Sequence, residues 1–210
     1  MVIVVANEKG GTGKTTCAVG IATALARRRR IVLVDTDAQQ SAAAWLDGTE
    51  NVEVVPHQQA PGLGAFLEQQ AARPDVDLVI CDTPPGLPAQ LREAVKVADV
   101  ILIPVRPSGP DFAALRSTLE LVKILARQTV EVRIIISQAM PGTVMAKGAR
   151  EAAAQYGAEV CRAVVYNRIA HAEAATAGRP IFQYAPESLA AVEMDQLARE
   201  VWRDAREPAR

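Results

Sequence analysis

Residues 9–16 read Lys-Gly-Gly-Thr-Gly-Lys-Thr-Thr, and they follow directly on the apolar run Val2-Ile3-Val4-Val5-Ala6. This junction constrains the chain more than any other feature. Gly10, Gly11 and Gly13 let the backbone turn tightly and approach a ligand without a Cβ in the way. Successive N–H groups in such a turn form a concave nest for an anion, and a helix starting there adds the positive end of its dipole. A loop of this kind cradles phosphates. At this spacing Lys14 reaches the β- and γ-phosphates, and the Thr15 hydroxyl serves as a ligand for Mg2+. Gly10, Gly11, Thr12, Gly13, Lys14, Thr15 and Thr16 are therefore the candidate nucleotide-binding residues, with Lys14 also a candidate catalytic group.

The rest of the chain repeats the strand-then-helix pattern. Short runs rich in Val and Ile stand at residues 2–6, 31–34, 52–55, 78–81, 100–105, 132–136 and 160–165. They mostly do not alternate, as expected of parallel strands covered on both faces. Helices are predicted over residues 15–29, 39–46, 63–72, 87–97, 112–127, 144–156 and 186–206, with Asp111 as N-cap of the fifth and Gly157 ending the sixth. The expected fold is a single-domain α/β phosphate-loop architecture: a mainly parallel twisted sheet with helices on both faces. At 210 residues, half of them hydrophobic, residues 1–210 suit one domain.

Charge is nearly balanced, with 23 basic and 24 acidic residues, which argues against an all-over basic coat but allows a local basic patch. Arg27–Arg30 reads as a solvated helix end. The three cysteines form no Cys-x-x-Cys pair, which fits a reduced, cytoplasmic setting. No apolar run approaches membrane length, so no membrane partner is expected.

Carboxylates mark two further strand ends. Asp35-Thr36-Asp37-Ala38-Gln39 follows the second strand, and Asp82-Thr83-Pro84-Pro85-Gly86 follows the apolar run at 78–81. Acids at C-terminal strand ends face the ligand crevice of an open α/β sheet, and Mg2+ favours one or two carboxylates beside phosphate oxygens. Thr15, Asp35 and Asp82 are the candidate metal ligands, although an Asp in this position also commonly caps a helix.

The glycine loop departs from the ordinary nucleotide string, which would need Gly where this chain has Glu8, and carries instead an extra lysine, Lys9, before the glycine pair. In this it resembles the deviant Walker A ATPases of the ParA/MinD family, over nearly the whole chain, and is most similar to the small ParF-like partition proteins. The resemblance implies an ATP hydrolase that cycles between an ADP-bound or apo monomer and an ATP-bound sandwich homodimer. It implies that Lys9 crosses to the partner's phosphates, as an arginine finger does. Asp37 would orient the attacking water, while Asp35 supports the metal or the loop. Residues 82–86 would form the second switch. The absence of an Asn-Lys-x-Asp string favours ATP over GTP, and Gln138 and Pro180 are candidates for the adenine pocket.

The same resemblance implies partition of plasmid or chromosomal DNA through non-specific DNA and a ParB-like centromere-binding protein. The setting would be cytoplasmic and nucleoid-associated. Positioning of a protein cargo through an adaptor, for carboxysomes or chemoreceptor clusters, is the alternative, with a metabolic ligase or kinase behind it. Lys147, Arg150, Arg162, Arg168 and Arg179 are the candidate DNA contacts. The mixed charges of the C-terminal segment, with Leu197, Val201 and Trp202 on one stripe, suit core packing rather than membrane binding.

Overall fold

Runs of Val, Ile and Leu with no polar alternation can be satisfied only where both faces are covered, and the interior strands obey this. The computed structural model of the chain describes residues 1–46, 48–57, 62–86 and 88–206. β1 (Val2–Val5), β2 (Ile31–Asp35), β4 (Leu78–Asp82) and β5 (Val100–Val105) are buried along their whole length. β3 (Val52–Pro56) and β7 (Glu159–Tyr166) are only partly buried and lie at the two edges, with β6 (Glu131–Ala139) inside β7. The seven strands form one sheet in the order β3-β2-β4-β1-β5-β6-β7, and every pairing among the described residues is parallel.

Alternate residues of each strand feed separate cores. Ile3 and Val5 face one layer with α1 (Lys14–Leu25), α2 (Ser41–Leu46), α7 (Ile169–Thr176), α8 (Ile181–Tyr184) and α9 (Leu189–Arg206). Val2 and Val4 face the other, with α3 (Leu63–Ala71), α4 (Ala89–Val97), α5 (Gly109–Leu125) and α6 (Val144–Ala154). Leu197 and Val201 of α9 are fully buried, in keeping with the core-packing stripe expected there. Against them lies α1, which comes so near that a Cβ on Gly20 would stand 2.4 Å from Met194 Cγ and Sδ.

All seven expected strands are present, with ends shifted by up to three residues. Three local readings need correction. Asp111 is not the N-cap of α5: Ser108 is, its side chain accepting from the Asp111 N–H, and Asp111 lies in the first turn. Gly109 and Pro110 are compatible with the helical start, so the helix begins earlier than the apolar pattern suggests. The stretch between β7 and residue 186 holds two unexpected helices: α7, whose alanine-rich sequence gives little periodic signal, and α8, which at four residues is too short to show a period. The last helix starts at Leu189 rather than Pro186. The expected start at Leu87 lies outside the described residues, and α4 is described from Ala89.

Candidate functional site

The central strand β1 runs out into the glycine loop, and α1 begins at Lys14. Gly11 and Gly13 adopt φ of 70° and 90°, which residues with a Cβ rarely tolerate. The loop's carbonyls are tied down from outside. Gln138 Nε2 donates to Gly11 O at 2.8 Å, Ser137 Oγ donates to Thr12 O at 2.6 Å, and Lys14 Nζ donates to Lys9 O at 3.1 Å. With these carbonyls engaged, the N–H groups are left for an anion, which is what a phosphate nest requires. Residues 82–86 lean on the same loop: the Gly86 N–H donates to Glu8 O at 2.6 Å, and a Cβ on Gly10 would lie 3.6 Å from Pro85 Cβ.

Asp35 and Asp82 are register partners at the ends of β2 and β4. Parallel pairing thus brings together two carboxylates that are 47 residues apart in sequence, from 35 to 82. Burial raises the Asp82 carboxyl to about 7, against a hydrogen bond from Thr15 and with added repulsion from Asp35. Its Oδ1 is buried with no hydrogen-bond partner. A buried carboxylate oxygen with a free lone pair, beside a threonine hydroxyl, fits a hard divalent cation. Asp35 is engaged differently. Its oxygens accept from the N–H groups of Asp37 at 3.1 Å, Ala42 at 3.0 Å and Ala43 at 3.3 Å. Its carboxylate thus caps α2 and braces the turn that carries Asp37. Burial raises its pKa, and those amides work against the rise.

Asp37 is half-exposed at the mouth of the site, where it and Asp82 both bear electrostatically on Lys14. Burial lowers the Lys14 pKa, and the two acids oppose that shift. On the opposite side of the loop Lys9 Nζ lies 2.8 Å from Asp111 Oδ2.

Beside Gly13 and Thr16 a hollow of about 250 Å³ opens between α1, α7 and the ends of β6 and β7. Gln138 lines it, although its amide nitrogen is committed to Gly11. Trp45, Tyr166, Asn167 and His171 also form its wall, and sequence reading missed all four. They arrive on α2, on the end of β7 and on the unrecognised α7, so no linear motif marks them. His171 Nε2 is buried without a partner, and burial holds its pKa below the ordinary value. Pro180 is not in this wall. The turns of α7 carry it into a neighbouring crevice that shares Thr16, Trp45 and His171 with the hollow.

Among the described residues no cluster of three or more His, Cys, Asp or Glu could hold a metal, and no helix is long and apolar enough to cross a membrane. The candidate DNA contacts are dispersed: Lys147 and Arg150 on α6, Arg162 on β7, and Arg168 and Arg179 on either side of α7. Arg168 is already paired with Glu193 at 2.7 Å.

Known proteins align with nearly the whole chain. It is 31% identical over 206 residues to maintenance of carboxysome distribution protein A of Halothiobacillus neapolitanus, covering 95% of each. To the protein of that name from Gloeobacter kilaueensis it is 33% identical over 209 residues, covering 97% of this chain and 94% of the other. The chromosome-partitioning ATPase Soj of Thermus thermophilus is 29% identical over 234 residues, covering 95% and 94%. The structure of apo McdA from Cyanothece superposes with a TM-score of 0.79 at 19% identity, over 94% of this chain and 98% of that one, a likeness of fold. The family model described as the CobQ/CobB/MinD/ParA nucleotide binding domain matches residues 3–181, and the chain belongs to that family.

Proposed function

We propose that this protein is a ParA-type positioning ATPase that pairs with a second copy while ATP is bound and separates after hydrolysis. The observation that carries this reading is Lys9, a second lysine at the entrance of a glycine loop that already contains Lys14. One phosphate-facing lysine suffices for a self-contained ATPase; another at the rim, 30% exposed, suits a site completed by a neighbour.

Each residue then has a task. The loop amides hold the phosphates, and Lys14 exchanges the Lys9 carbonyl for β- and γ-phosphate oxygens. Thr15 and Asp82 hold Mg2+, which when bound screens the charge of the phosphoryl oxygens. Asp35 fixes the start of α2, and Asp37 orients the attacking water. Lys9 of one copy neutralises charge on the phosphates held by the other. The hollow beside Gly13 takes the base, with aromatic surface from Trp45 and Tyr166 and amides from Gln138 and Asn167.

For the cargo, the two carboxysome-distribution relatives favour a protein assembly reached through an adaptor. Soj supports the second reading, DNA partition with a ParB-like partner. Both readings call for ATP-dependent binding to non-specific DNA as the track. The test is DNA binding by the purified protein with ATP, ADP and no nucleotide, at several salt concentrations. Binding with ATP alone, weakening steeply with salt, is expected. Equal affinity in all three states, or a stoichiometric small-molecule product from ATP, overturns the proposal.

A further inference from the structure

Arg27–Arg30, read from the sequence as a solvated helix end, divides in the fold. Arg30 meets acids of its own chain, with Nε 3.3 Å from Asp75 Oδ2 and Nη2 3.9 Å from Glu53 Oε2. Arg27, Arg28 and Arg29 instead border a hollow of about 290 Å³ between the end of α1 and α9. Two of them are held by aromatic rings. The Arg29 guanidinium carbon lies 3.9 Å from the centroid of the Trp202 ring, and that of Arg27 lies 4.7 Å from the Phe182 ring. A guanidinium stacked by its face keeps its edge N–H groups for another acceptor. Among the described residues no carboxylate pairs with any of the three. Across the hollow, α9 presents Asp195, Ala198, Arg199 and Trp202, spaced as one helical face. Ala24, Leu25 and Ala198 are buried and make an apolar floor. Asp195, the one acid in the wall among the described residues, is taken by Arg199 at 2.8 Å.

We propose that this hollow docks an acidic segment of a partner protein, whose carboxylates meet Arg27, Arg28 and Arg29 while one large apolar side chain enters between α1 and α9. Charge selects an acidic partner, since four arginines stand in the wall against one aspartate. Shape selects polypeptide over nucleic acid. A duplex offers phosphates on a broad convex surface and has no apolar knob for a floor of Ala and Leu, whereas a peptide carries both kinds of group on neighbouring residues. The stacked arginines are already ordered, so they lose little side-chain freedom on meeting a carboxylate. Position sets the consequence. α1 begins at Lys14 in the phosphate loop, and its 12 residues put the hollow about 18 Å from that loop, past the far end of the helix. A segment held there touches neither the nucleotide nor the loop at which two copies would pair. It stays bound in every nucleotide state, as a permanent tether that stands whether or not the proposed ATP cycle does.

A simpler reading is that the arginines only solvate the end of α1, in which case any polyanion binds them weakly and the apolar floor plays no part. Fluorescence anisotropy on the full chain separates the two, with and without a non-hydrolysable ATP analogue. The probes are a short labelled peptide of glutamates around one leucine, the same peptide with glycine for leucine, and a labelled DNA duplex of random sequence. The leucine peptide is expected to bind equally in both nucleotide states, and the glycine peptide roughly tenfold more weakly. Arg28→Glu changes an exposed side chain. It should weaken the leucine peptide by roughly tenfold or more, while the melting temperature and DNA binding stay as in wild type. If the charge reversal lowers the melting temperature, Arg28→Gln decides, with a smaller loss of the same sign. Three results overturn the proposal: no binding of the leucine peptide at low salt, equal binding of the two peptides, or equal binding by wild type and the Arg28 variants. Peptide binding that needs the ATP analogue overturns the permanent tether. A loss of DNA affinity in Arg28→Glu as large as the loss of peptide affinity gives the surface to nucleic acid instead.

Discussion

Asp37 and Asp82 are two carboxylates with different surroundings, and they should fail differently. Asp37 is half-exposed, beyond the end of β2, and close enough to Lys14 to influence it. A group that positions water matters mainly in the transition state. Asp37→Ala should therefore keep ATP affinity while slowing single-turnover hydrolysis by roughly tenfold or more, about 1.4 kcal/mol. Hydrolysis at the wild-type rate would remove Asp37 from the chemistry. Asp82 is buried, and its carboxyl is raised to about 7. Between its unfolded value and about 7 the folded state holds a proton that the unfolded state has lost, so stability falls as pH rises through this window. Above it both states are ionised and the cost is complete. Asp82→Asn should thus stabilise the nucleotide-free protein at pH 8 by on the order of a few kcal/mol, with a smaller gain at pH 5.5. The same variant should bind Mg-nucleotide more weakly. Denaturant melts at the two pH values, with and without Mg-ATP, check both signs.

At the level of elements, the site depends on α1 being held against α9 by a contact that leaves no room for a side chain. Gly20→Val would drive its Cβ into Met194 and force that side chain, or α9, to move. Overpacking of this kind costs about 1–3 kcal/mol, measurable as a lower denaturation midpoint. Since α1 also carries Lys14 and Thr15, the nucleotide affinity of the variant should fall as well. Unchanged stability would mean that Met194 can turn aside freely. The start of α5 depends on backbone placement in the same way. The Ser-Gly-Pro-Asp string held two capping side chains, and only the backbone decided that Ser108 caps while Asp111 turns inward to Lys9 and Arg106.

For the whole molecule, the question is whether exposed cations gather where DNA can meet them. Arg168 is engaged by Glu193, and its guanidinium carbon lies 5.2 Å from the centroid of the Tyr166 ring, so its removal should lower stability rather than DNA affinity. Arg162 and Arg179 are exposed. Replacing both with Ala should weaken ATP-dependent DNA binding and flatten its salt dependence, by about one unit of log–log slope for each phosphate that is no longer neutralised. Nucleotide affinity should not change. A salt slope equal to wild type would show that the DNA surface lies elsewhere.

Much of this protein was legible in the linear chain because the information was local. Unalternating Val and Ile runs specify covered parallel strands, and the string from Lys9 to Thr16 specifies a phosphate nest, since glycine freedom and helix start are short-range properties. What the linear chain left open was decided by contacts between distant segments. Which backbone amides meet Asp35 depended on where α2 begins, and its carboxylate caps α2. The wall of the hollow depended on α7, a helix too poor in large apolar residues to be seen by periodicity. Lys9 and Asp111 stand 102 residues apart, and only the alignment of β1 beside β5 brings them within one ion pair. Side-chain chemistry names what a residue is able to bind; the packing of the sheet decides which partner is near enough to bind it.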